Sequence, residues 1–61
     1  MELPKDPVIL MSYLNTQLRD TYPSLAEFCQ ANGCDAASIE SQLAAISYVY
    51  DADKNQFVHH A

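Results

Sequence analysis

A single glycine sets the plan of this chain. Gly33 interrupts a stretch from Ser24 to Ile46 that otherwise reads as helix, so the stretch splits into two short helices about a hinge. Ser47 to Val58 then changes to β-branched and aromatic residues around a polar turn, which reads as a hairpin. Two helices hinged by glycine and followed by a small wing follow the order of a helix-turn-helix, a layout often used to grip DNA. The spacing agrees: in that motif a small inner residue lies four places before the turn glycine and an apolar anchor six places after it, as Cys29, Gly33 and Ile39 do. Asn32 and Gln42 depart from it, since both stand where apolar residues usually pack. Charge departs further. The second helix, Asp35 to Ile46, holds Asp35 and Glu40 and no Lys or Arg, whereas a helix entering a groove lined with phosphates is expected to be basic.

The helix boundaries are written in local signals. Asp6-Pro7 starts a first helix, with Asp6 as N-cap and Pro7 at the first helical position. Leu10, Leu14 and Leu18 then recur at every fourth place, with Met11 and Tyr22 beside them, and Asn15, Arg19 and Thr16 fall on the wet side. Pro23 pushes Tyr22 out of the helical region and ends the helix near Thr21. Ser24-Leu-Ala-Glu27 is a capping box for a helix from Leu25 to Ala31. Asp35 caps a third helix from Ala36 to Ala45, whose inner face is Ile39, Leu43 and Ile46. Asp51 to Asn55 is turn chemistry, with Asn55 suited to a positive φ. The register stays open: a five-residue loop faces Val49 with Phe57, a four-residue loop Tyr50 with Phe57. Residues 1–5 read as an extended arm and residues 59–61 as a frayed tail. The expected fold is thus mainly α: a helix-turn-helix-like three-helix bundle with a C-terminal two-stranded hairpin, like a reduced winged helix.

Sixty-one residues make one small domain with little core to spare, a shortage that a homodimer or tight partner relieves. The net charge is −5, and the three bases, Lys5, Arg19 and Lys54, are spread along the chain, so no basic patch is expected. Nucleic acid and anionic membranes are therefore poor partners. Val8 to Leu14 is too short to span a bilayer and lacks the flanks of a signal peptide, so a cytoplasmic setting with reduced cysteines is expected.

No motif for chemistry survives inspection. Cys29, Cys34, His59 and His60 are potential zinc ligands, but adjacent histidines rarely share one tetrahedral ion and Cys29 fits an inner helix face. Asp51, Asp53 and Asn55 copy the start of a calcium loop, yet Gln56 replaces its glycine and the bidentate Glu is missing. A nucleophile needs an adjacent base in a pocket, which a chain this small builds with difficulty. No catalytic residue, metal or cofactor is expected. The tyrosines point elsewhere: Tyr48 and Tyr50 alternate onto one face of the hairpin, and tyrosine is enriched at protein interfaces.

Leu3-Pro4-Lys5-Asp6-Pro7-Val8-Ile9-Leu10, the stretch Asn15…Leu18-Arg19-Asp20, and Tyr48-Val-Tyr50-Asp51…Asn55-Gln56-Phe57-Val58 resemble a family of very short bacterial proteins catalogued as a domain of unknown function. The resemblance covers nearly the whole chain and implies a bacterial, cytosolic setting with no assigned catalytic residue. The expected function is a non-catalytic interaction module that binds another protein or itself through Tyr48, Tyr50 and Phe57, with exposed hairpin edges able to extend a partner's sheet. The alternative is a DNA-associated transcriptional regulator whose missing charge a partner supplies.

Overall fold

The computed structural model describes residues 3–60. Its order is α1 (Pro7–Asp20), α2 (Leu25–Asn32), α3 (Ala36–Ala44), β1 (Tyr48–Asp51) and β2 (Gln56–His59). This is the expected architecture: three helices and a two-stranded antiparallel hairpin, in the manner of a reduced winged helix. Asp6 Oδ1 accepts from the Val8 and Ile9 N–H groups at 2.9 and 3.3 Å, which satisfies two otherwise orphaned donors of α1. Ser24 Oγ does the same for Glu27 N–H at 3.1 Å. Asp35 stands at the N-cap of α3, but its side chain makes no capping bond. Gly33 ends α2 with φ 67° and ψ 33°, the left-handed conformation a residue without Cβ adopts cheaply.

The core joins four of the five elements, and Tyr48 and Tyr50 of β1 pack against it half-buried. Leu10, Leu14 and Leu18 of α1 meet Leu25, Phe28 and Cys29 of α2, Ile39 and Leu43 of α3, and Phe57 of β2. Tyr13 and Tyr22 pack edge-on to Phe28, with ring centroids 6.3 and 5.3 Å away. Asn32, in a position expected to be apolar, is half-buried and satisfied: its amide donates to the Phe28 carbonyl and the Tyr22 hydroxyl.

The hairpin register is Tyr48↔His59, Val49↔Val58, Tyr50↔Phe57 and Asp51↔Gln56, so the four-residue loop is the one formed. Asp51 Oδ1 accepts from Asp53 and Lys54 N–H, and Asn55 closes the turn at φ 51°. Pairing runs past the expected end at Val58. His59 is in the strand, and His60 N–H donates to the Ser47 carbonyl at 2.6 Å. Of the expected arm and tail, residues 1, 2 and 61 lie outside the described residues, while Leu3 packs against the core.

Candidate interaction surface

The hairpin is clamped to α1 by two asparagines. Asn15 was expected on the wet side of α1; it is instead half-buried against β2. Its amide nitrogen donates to the Phe57 carbonyl at 3.1 Å and its oxygen accepts from Phe57 N–H at 2.7 Å. A side-chain amide thus occupies the place of a neighbouring strand. Asn55 does the complementary work at the end of α1. Its amide nitrogen donates to the carbonyls of Leu18 and Tyr22 at 3.0 and 2.9 Å, and its oxygen accepts from the Tyr50 hydroxyl at 2.7 Å. The Tyr50 oxygen in turn accepts from Leu25 N–H at 3.1 Å, which ties the start of α2 into the same network.

These bonds place the three residues expected to form the surface. Phe57 is a core residue, 2% exposed. Tyr50 is half-buried with its hydroxyl engaged and its ring 5.5 Å from that of Phe57. Tyr48 is half-buried beside the His59 ring, also at 5.5 Å. Their side chains share the helix-facing side of the hairpin, and the other side presents Val49, 41% exposed, and the half-buried Val58.

The backbone edges differ more sharply. Antiparallel pairs alternate between hydrogen-bonded and non-bonded. The bond from His60 to Ser47 makes Val49↔Val58 and Asp51↔Gln56 the bonded pairs. The N–H and C=O groups of Tyr48, Tyr50, Phe57 and His59 therefore point outward. On β2 those of Phe57 are taken by Asn15. On β1 those of Tyr48 and Tyr50 have no partner among the described residues.

The fold brings two of the three bases to one groove. Arg19 and Lys54 line one groove between α1 and the hairpin, about 460 Å³ in volume, with Asn15, Thr16 and Gln56. No strong cationic patch results, because Arg19 is already bidentate to Asp20 at 2.9 and 3.0 Å. That hydrogen bonding raises the guanidinium pKa and lowers that of the Asp20 carboxyl, although both groups remain in water. The exposed residues of α3 include Glu40 and no base. Among the described residues no helix is long and apolar enough to cross a membrane.

The Cys29 thiol sits in the core, and burial pushes its pKa from 9.0 up to about 12, with further rises from nearby Cys34, Asp35 and Glu40. Folding therefore favours the protonated thiol. Its contribution is intact below pH 9.0 and is lost as pH climbs toward about 12, where only the unfolded chain has already ionised. Urea titrations across that window should show the wild-type chain losing up to about 1.4 kcal/mol per pH unit more than Cys29→Ala. Parallel curves for the two proteins would refute a buried neutral thiol.

A family model described as a domain of unknown function, DUF4250, matches residues 4–57, nearly the whole chain. No curated protein matches, and no solved structure does.

Proposed function

Because the chain belongs to the DUF4250 family, whose function is unknown, its role has to be read from its surface, and we propose a small non-catalytic module that binds another protein or a second copy of itself. One observation carries this reading: on the β2 edge Asn15 takes the outward main-chain groups of Phe57, while on the β1 edge those of Tyr48 and Tyr50 have no partner among the described residues. Tyr48 and Tyr50 supply the docking groups through their outward N–H and C=O, and Phe57 holds the pair to the core from beneath. An added strand takes affinity from main-chain bonds and specificity from the side chains alongside. Tyr48 and the Val49–Val58 pair are those side chains. The setting we infer is the bacterial cytoplasm.

The test is a pull-down of the tagged chain with and without nuclease, repeated with Tyr48→Lys. Lysine keeps the strand and blunts its edge. The expected result is a partner that survives nuclease and moderate salt, and whose capture falls at least about tenfold with the folded variant. Capture lost on nuclease, with affinity falling steeply in salt, would mean phosphate contacts instead. Equal capture by folded Tyr48→Lys would remove the β1 edge from the interface.

A further inference from the structure

Cys29 and Cys34 close the end of α2 and take no part in the hairpin surface. The N–H groups of Gly33 and Cys34 both point back to the Cys29 carbonyl, the latter at 3.0 Å. Such a six-to-one closure sets a residue inside the helix end against the residue just beyond the left-handed glycine, a contact that is ordinarily apolar. Here both members are cysteines. Cys29 is buried in the core, and Cys34 packs on that core while remaining half-exposed. Both are free thiols, and each lies close enough for Cys34 to perturb the ionisation of Cys29.

We propose that Cys29 and Cys34 form a modification site, a dithiol that low-molecular-weight disulfides oxidise to an internal bridge across the α2–α3 hinge. The half-exposed Cys34 reacts first. Its thiolate sulfur bonds to one sulfur of the oxidant RSSR, the S–S bond of the oxidant breaks, and RS⁻ leaves. Cys29 then releases its proton to solvent, its sulfur bonds to that of Cys34, and the second RS⁻ leaves. The protein loses two protons and two electrons, and RSSR becomes two RSH. The bond from Cys34 N–H to the Cys29 carbonyl at 3.0 Å folds the chain back between the two residues, which favours the short separation a disulfide needs. Cys29 is buried while Cys34 is half-exposed, so the adduct forms on Cys34 and is resolved by Cys29 as the mixture reaches equilibrium.

The test equilibrates the reduced chain in graded mixtures of oxidised and reduced glutathione, natively and in concentrated urea, and reads intact masses after an acid quench. The expected product is a monomer two hydrogens lighter, with an equilibrium constant at least about tenfold larger in the native chain than in urea. Cys29→Ser should stop at the glutathione adduct on Cys34, and Cys34→Ala should resist modification. A native constant no larger than that in urea overturns the proposal. So does a Cys34 adduct that persists at equilibrium in the unsubstituted chain, or cross-linked dimers in place of the internal bridge.

Discussion

Replacing Asn55 with alanine is expected to destabilise the protein by about 2–4 kcal/mol, a large part of the roughly 3–9 kcal/mol that 61 residues ordinarily provide. The substitution strands the Leu18 and Tyr22 carbonyls at the end of α1 and removes the acceptor of the Tyr50 hydroxyl. It also sets a Cβ-bearing residue without the local hydrogen bonding of asparagine at φ 51°. Two further variants divide the loss. Asn55→Gly relieves the backbone and should recover only the smaller share, under about 1 kcal/mol. Asn55→Asp keeps the acceptor for Tyr50 and turns a carboxylate oxygen toward two carbonyls, so it should recover little. Urea midpoints at constant slope measure all three. A full recovery by Asn55→Gly would mean that the turn conformation, not the network, sets the cost.

The second large effect is expected at Asn15. Asn15→Ala leaves both Phe57 backbone groups unpaired at a half-buried edge, at a cost of about 2–3 kcal/mol. It also opens the β2 edge, so association should rise with concentration while the unsubstituted chain under the same conditions shows less. Unfolding by urea reads the first consequence and sedimentation the second. A variant as stable and as unassociated as the parent would show that α1 covers β2 without the amide.

The helix boundaries were legible because their causes are local. Asp6 and Ser24 cap donors two or three residues away, and Gly33 acts on the residue pair at its flanks. The leucine stripe and the inner faces of α2 and α3 follow from periodicity alone. Asn15 and Asn55 were misread or half-read because their partners lie 33 to 42 residues away. An asparagine on a helix looks like a solvent residue until the strand beside it is known. The hairpin alternatives differed by one place in the loop, and such a shift sends every side chain to the opposite face. The register formed is accompanied by the bonds from Tyr50 to Asn55 and from Asn15 to Phe57, the second of which joins residues far apart in the chain. The same network gives Asn15, Tyr50, Asn55 and Phe57 a shared structural role: they secure the hairpin to the helices.

The unequal edges of the hairpin would also limit any association through it. A sheet open on both sides recruits neighbours without limit, and the product is a fibre. Here a second copy meeting β1 across a two-fold axis would build a four-stranded sheet with β2 outermost on each side. Each outer strand is already occupied at Phe57 by its own α1. Such a pair would offer a third copy no free main-chain group at Phe57, and the amide of Asn15 would act as a terminator, placed one strand away from the edge whose growth it stops.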